Sequence, residues 1–187
     1  TFSVPFDLGQ INENISITTN TSTKPSKEQI ITQAIKFHSQ GNTSEAAKYY
    51  QYLIDQGLND HIVFSNYGAI LKDIGKLKEA ALLQRKAIDL KPDFVDAHYN
   101  LGNILRDLGK LKEAEISMRK AIKIRPNFTI AYSNLGIILR NLGKLKEAEL
   151  TTKKAIELDP NYSIAYSNLG DILRDIDELQ EAELSYR

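Results

Sequence analysis

Residues 95–128 read VDAHYNLGNILRDLGKLKEAEISMRKAIKIRPNF, and residues 129–162 read TIAYSNLGIILRNLGKLKEAELTTKKAIELDPNY. Residues 163–187 start the pattern again as SIAYSNLGDILRDIDELQEAELSYR. Outward from these, residues 61–94 (HIVFSNYGAILKDIGKLKEAALLQRKAIDLKPDF) form an earlier copy and residues 27–60 a fainter one, all in strict 34-residue register. A fixed period of this length without insertions means a solenoid, in which each unit buries its apolar face only by stacking on its neighbours. The expected fold is all-α: a right-handed superhelical solenoid of stacked antiparallel helix pairs over residues 27–187, with the last unit, 163–187, incomplete.

Each unit is numbered here from position 1 at His61, Val95, Thr129 and Ser163. A first helix is expected over positions 2–14, closed at position 15 by Gly75, Gly109 or Gly143, because glycine supplies the left-handed residue that ends a helix. The last unit has Asp177 there, a poorer stop. A second helix then runs until Pro92, Pro126 or Pro160 at position 32 forbids its continuation. Thr129 and Ser163 are expected to cap the helices that follow.

At about 100° per residue, positions 4, 7, 8 and 11 fall on one side of the first helix, as in Tyr132, Leu135, Gly136 and Leu139. That side is the expected packing face. Glycine at position 8 (Gly68, Gly102, Gly136, Gly170) costs ~1 kcal/mol relative to alanine inside a helix, so its recurrence calls for a packing reason. With Ala80, Ala114, Ala148 and Ala182 at position 20, it marks where two helices approach closely.

These residues resemble the tetratricopeptide repeat: small residues at 8 and 20, an aromatic near 4, Leu at 7, Ala at 27 and Pro at 32. The resemblance spans residues 27–187. Position 11 departs from it with Leu, and position 24 varies through Gln84, Met118, Thr152 and Tyr186. The first unit keeps Ala34, Gly41, Ala46 and Tyr50 but has Gln33 at position 7 and Leu58 at position 32, the pattern of a degenerate N-terminal cap.

Residues 1–26 carry no helical period and are rich in Thr, Ser and Asn, a composition that cannot bury enough apolar surface to offset ordering entropy. They read as a flexible leader or linker. Asn14-Ile15-Ser16 and Asn20-Thr21-Ser22 match the glycosylation acceptor pattern, in sequence where such matches arise by chance. The chain opens on Thr1 and stops at Arg187 inside a second helix, so the native array is expected to continue. Lys+Arg and Asp+Glu number 24 each, so no net charge draws the chain to nucleic acid or an anionic membrane. No apolar run is long enough to span a bilayer. Cysteine is absent, which excludes disulfides and thiolate metal sites. A cytoplasmic location is expected.

Function is expected on the side opposite the packing face, where positions 2, 6, 9 and 13 lie within about 60° of one another. In a stacked array they line the concave surface. Position 6 is Asn66, Asn100, Asn134 and Asn168. Position 13 is Asp73, Asp107, Asn141 and Asp175. Position 2 is Ile62, Asp96, Ile130 and Ile164, and position 9 is Ala69, Asn103, Ile137 and Asp171. An amide row offers donors and acceptors complementary to a peptide backbone. The other reading of the asparagines is that they only bond neighbouring helices. Position 12 is basic throughout (Lys72, Arg106, Arg140, Arg174) and sits beside the acidic position 13, which points to a self-compensating rim.

The Y-S-N-L-G segments are similar to the superhelical arm of the protein O-linked N-acetylglucosamine transferases. That resemblance implies that Asn66, Asn100, Asn134 and Asn168 grip a substrate's backbone. It carries over only Asp96 of the family's aspartates, since isoleucine stands at the other three positions 2, and no glycosyltransferase domain lies in these residues.

No catalytic constellation is present. His38, His61 and His98 are dispersed, with His98 at the aromatic position 4. No HExxH, paired-Cys or GxSxG motif exists, and the Gly-Lys pairs lack phosphate-loop spacing. No metal or cofactor is expected. The sequence therefore points to a non-enzymatic module that binds an extended protein or peptide segment in its concave groove. Two alternatives stand beside it: the substrate-recognition arm of a larger modifying enzyme such as a glycosyltransferase, and self-association through an uncapped C-terminal end or the convex ridge.

Overall fold

A computed structural model describes residues 25–185, with 178–185 as helix backbone only. The described residues form helices α1 (Lys27–Ser39), α2 (Thr43–Asp55), α3 (His61–Asp73), α4 (Leu77–Leu90), α5 (Val95–Asp107), α6 (Leu111–Ile124), α7 (Thr129–Asn141), α8 (Leu145–Leu158) and α9 (Ser163–Ser185). Helices α1, α3, α5 and α7 each pair with the even helix that follows, and α3, α5, α7 and α9 also touch in turn along the stack. The odd helices therefore line the inner side of the solenoid and the even ones its outer side. None of these helices is long and apolar enough to cross a membrane. The acceptor-pattern asparagines 14 and 20 lie outside the described residues.

Glycine makes the turn inside each hairpin. Gly41, Gly75, Gly109 and Gly143 have φ of 76°, 80°, 74° and 74°. In the third unit the Gly109 N–H donates to Arg106 O at 2.9 Å and the Lys110 N–H to Leu105 O at 2.8 Å. This closure satisfies two helix-end carbonyls and turns the chain by nearly half a revolution.

Two local expectations are corrected. The helices start one residue early, so Thr129 and Ser163 are first helical residues rather than caps. Phe128 holds the cap position of α7 without a side-chain cap bond. Its ring instead packs against Tyr99, with centroids 5.0 Å apart, and lies under the Arg125 guanidinium. An aromatic held by its own unit, just ahead of the next, replaces a hydroxyl cap. Real side-chain caps occur earlier: Asp60 accepts from the Ile62 and Val63 N–H groups, and Ser26 forms a reciprocal box with Gln29. The expected leader boundary at 26 thus falls on the cap of α1.

The second correction concerns the fifth unit. Among the described residues no second helix folds back, because α9 runs unbroken from Ser163 to Ser185, through Asp177. Among the described residues every positive φ belongs to a glycine. At position 15 of this unit the left-handed residue is missing, and the helix continues by default.

The core is wider than a single packing face. In α7, Leu135, Gly136 and Leu139 are buried as expected, but so are Ala131 and Ile138 on one flank and Ser133 on the other. The first face meets the partner helix of the same hairpin, and the flanks meet adjacent units. A continuous apolar cluster runs from Phe64 and Leu71 through Leu105 and Met118 to Leu139 and Ile172. The first unit adds its own cluster around Ala34, Tyr50 and Leu53, joined to Val63 and Ile70.

Position 8 is the closest approach. A Cβ on Gly136 would stand 2.1 Å from Thr152 Oγ1, one on Gly102 3.0 Å from Met118 Cε, and one on Gly68 2.7 Å from Gln84 Nε2. The glycine therefore faces position 24 of its own hairpin, with the carbonyl of position 20 beside it. Variation at position 24 is variation in what fills one conserved gap within the chain.

Candidate functional site: an asparagine ladder on the concave face

Position 6 faces inward and stays half-buried in units two to five. Each asparagine donates from its amide to the preceding unit. Asn66 Nδ2 donates to Tyr50 Oη at 3.2 Å, Asn100 to Ser65 Oγ at 3.5 Å, and Asn168 to Ser133 Oγ at 2.8 Å. Asn134 donates twice, to Tyr99 Oη at 3.1 Å and to Asn103 Oδ1 at 3.0 Å. Burial pushes the Tyr50 phenol up, with the Asn66 bond pulling the other way.

The acceptor in three of these bonds is position 5 of the unit before: Ser65, Tyr99 and Ser133. Sequence reasoning missed these residues, although the recurring aromatic-Ser-Asn triplet carried the signal. Ser65 is itself tied inward. Its hydroxyl donates to Gln84 Oε1 at 2.9 Å, while Gln84 Nε2 donates to Ser65 O at 2.8 Å. A polar chain thus runs from Asn100 on α5, through Ser65 on α3, to the fully buried Gln84 on α4. Buried amides of this kind are stable only when satisfied. Each ladder amide is thus held by a hydrogen bond to the unit before it.

The other expected groove residues divide. Asn103 is only 8% exposed, its carbonyl taken by Asn134. Asp96 lies at the surface 3.5 Å from Arg125. Asp73 and Asp107 pair with their neighbours Lys72 and Arg106 at 3.4 and 3.0 Å, and Asn141 is exposed. Asp175 receives two bonds from Arg140, Nε at 2.6 Å and Nη2 at 3.0 Å, while Arg140 Nη1 reaches Asp171 at 3.2 Å. The Arg140 hydrogen bonds hold the Asp175 carboxyl below the ordinary range for its type. Positions 12 and 13 are a self-paired rim, as their alternation in sequence implied. His98 is buried, its Nε2 2.9 Å from Pro92 O, a packing histidine.

Position 2, on the same side of the inner helices, is mostly apolar. Ile62, Ile130 and Ile164 are 37%, 42% and 52% exposed, a row of branched side chains interrupted only by Asp96. Among the described residues no group of three His, Cys, Asp or Glu side chains could hold a metal ion. The surface offers fixed amides, apolar contacts and a neutralised rim.

Sequence models of the tetratricopeptide repeat match residues 95–128, 129–162 and 151–183, and a TPR repeat model matches residues 68–109. The chain is built of tetratricopeptide repeats. No curated protein sequence matches it. Among solved structures it is similar to MamA (41-end) from Desulfovibrio magneticus RS-1, at 23% identity and a TM-score of 0.74 over 86% of this chain and 92% of that one. YrrB, described as a TPR protein with an unusual peptide-binding site, is 19% identical with a TM-score of 0.69, over 76% and 73% of the two chains. The first TPR of Spaghetti (RPAP3), bound to the HSP90 peptide SRMEEVD, is 27% identical with a TM-score of 0.61, over 63% and 93%. The fold is that of a protein interaction module.

Proposed function

We propose that the concave surface of this repeat array binds an extended peptide, holding its backbone against the asparagine ladder and its apolar side chains against Ile62, Ile130 and Ile164. The observation that carries this reading is the anchoring of every ladder amide by the unit before it. The stapling bonds use N–H groups, two of them at Asn134, and leave the amide carbonyls to accept from a peptide's N–H groups. Amides already fixed in place lose little entropy on binding, which favours recognition of a flexible chain. Peptide binding by the RPAP3 and YrrB relatives supports the class of ligand. The paired rim argues against a strongly charged ligand, and Asp96 beside Arg125 is the one place where a basic side chain would gain.

The resemblance to a glycosyltransferase arm assigns the same groove to the substrate of a larger enzyme. The ladder is common to both readings. The isoleucines at position 2 set this groove's side-chain preference apart from an aspartate-lined one.

The test uses peptides selected from a random display library on the whole chain, with affinities read by fluorescence anisotropy. Asn100 has the longest stapling bond, so its ligand contact separates most cleanly from stability. Asn100→Ala should weaken binding by ~2–10-fold, one hydrogen bond of ~0.5–1.5 kcal/mol, while leaving the urea midpoint nearly unchanged. Ile130→Lys, at an exposed position, should weaken it further without unfolding the array. Lys112→Ala, exposed on the outer side, should do nothing. Unchanged affinity in both Asn100→Ala and Ile130→Lys would place the binding surface elsewhere.

A further inference from the structure

The outer helices repeat a second pattern, which neither the core nor the groove uses. Position 22 is Leu82 on α4, Ile116 on α6 and Leu150 on α8, and these side chains are 39%, 70% and 69% exposed. Positions 18 and 26 on either side are always lysine: Lys78 and Lys86, Lys112 and Lys120, Lys146 and Lys154. Spacings of four residues put each Lys-aliphatic-Lys set on one stripe of its helix. Single exposed aliphatics are ordinary, but a row of three in register is not. The first unit has Lys48 at position 22, paired with Glu45 at 2.7 Å, so the row begins at α4. Arg85 of α4 reaches Glu113 of α6, and Arg119 of α6 reaches Glu147 of α8. Ile116 is therefore open in the middle of the array, with a described outer helix on each side.

The acids beside the row are already taken. Glu113 is bridged by Arg85 at 3.1 Å and Lys110 at 3.4 Å, and Glu115 by Lys144 at 2.8 Å and Arg119 at 3.0 Å. The lysines around Ile116 are not taken. Among the described residues Lys112, Lys120 and Lys123 are exposed and make no ion pair or hydrogen bond. On α8 Lys154 meets Glu157 at 2.8 Å, and on α4 the exposed Asp89 offsets Lys86 one turn away. The positive surplus is thus centred on α6. A chain with 24 cationic and 24 acidic side chains carries a local basic patch around an exposed isoleucine.

We infer that the outer face of α4, α6 and α8 docks an acidic amphipathic helix of a partner protein. Its aliphatic side chains would lie against Leu82, Ile116 and Leu150, and its carboxylates against Lys112, Lys120 and Lys123. Charge complementarity selects this occupant. A second copy, related by a two-fold axis through α6, would set the same lysines against themselves. An anionic bilayer is the poorer match, because the row has no aromatic side chain and Glu113 and Glu147 stand beside it. One helix face can carry both the apolar and the acidic groups that the patch calls for. The ion pairs between the outer helices hold the row in place for it. This inference is independent of the groove, which lies on the inner helices.

Helical peptides are selected from a display library on the whole chain, and those whose affinity survives Asn100→Ala are kept. Anisotropy then reads their binding. The survivors should carry Asp or Glu beside aliphatic residues at helical spacing, and added salt should weaken them. Ile116→Ser should weaken them by more than ~10-fold. Lys112→Glu with Lys120→Glu changes side chains that bond to nothing among the described residues, so helicity should hold. This variant should lose the acidic peptides and bind versions in which lysine replaces the acids, a reversal that a purely structural role would not produce. Two further measurements use the chain alone: co-sedimentation with vesicles of equal parts phosphatidylcholine and phosphatidylserine, and sedimentation equilibrium. An absence of acidic survivors, binding indifferent to Ile116→Ser, or an unreversed charge preference would each overturn the proposal. So would vesicle binding or dimerisation that Ile116→Ser abolishes.

Discussion

Gly68→Ala should destabilise the array, although alanine is the better helix former. Inside a helix the exchange alone would stabilise by ~0.5–1 kcal/mol. At Gly68 the added Cβ would lie 2.7 Å from Gln84 Nε2 and 3.3 Å from both Gln84 Cδ and Ala80 O. The amide must retreat by several tenths of an ångström to restore ordinary contact, and it has nowhere neutral to go. Gln84 is fully buried, and its two bonds with Ser65 are at 2.8 and 2.9 Å. Breaking one of them strands a buried polar group at ~1–3 kcal/mol. The net expectation is a loss of ~0.5–2 kcal/mol. The sign should reverse once the obstacle is gone: in a Gln84→Ala background, Gly68→Ala should be neutral or stabilising by up to ~1 kcal/mol. Urea unfolding of the four proteins, followed by helical circular dichroism, gives the cycle, and residues in contact are expected to be non-additive in this way. Stabilisation by Gly68→Ala in both backgrounds would refute the close helix approach and the role assigned to position 24.

Gly136→Val should cost ~1–3 kcal/mol through overpacking against Thr152 and the Ala148 carbonyl, whereas Lys146→Ala, on the exposed face, should stay within ~0.5 kcal/mol by the same unfolding assay. Glu115 gives a pH signature. Its partial burial raises its carboxyl, but bonds from Lys144 (Nζ to both oxygens, 3.0 and 2.8 Å) and Arg119 outweigh this and lower it. A lowered carboxyl contributes stability above its unfolded value, ~4.3, that is lost as pH falls through the folded one. Glu115→Gln should therefore melt below the natural chain at neutral pH, and thermal melts should show the gap closing on acidification towards pH ~3. A gap that widens on acidification would mean that Lys144 and Arg119 do not hold the charged form.

How much of this was legible in sequence differs by level. The 34-residue period gave the hairpins, the glycine turns and the position-8 crossing, because each is a local requirement repeated in register: a left-handed residue, a missing side chain, an absent amide hydrogen. A helix wheel is geometry, so it also put Asn66, Asn100, Asn134 and Asn168 on one side of their helices, where each bonds to the unit before. The wheel could not show that the flanks of each inner helix are buried by neighbouring units, because those contacts depend on the angle between hairpins. The same limit hid the Ser65–Gln84 link and the burial of Asn103, which depend on which acceptor falls within 3 Å of an amide one unit away. Thr129 misled because its hydroxyl is a good cap, yet Phe128, fixed between Tyr99 and Arg125, set where the helix begins. Local preference yields where tertiary packing has more to gain.

Asp177 is the position where the two levels meet most sharply. By composition it is a mild exception in an otherwise regular fifth copy. By conformation it decides whether the chain turns back at position 15, because only glycine takes positive φ among the described residues. One side chain at a turn thus separates a closed hairpin from a 23-residue helix. Asp177 thus acts on the backbone alone: its β-carbon penalises the left-handed φ that Gly75, Gly109 and Gly143 adopt, and the helical hydrogen bonds run on instead.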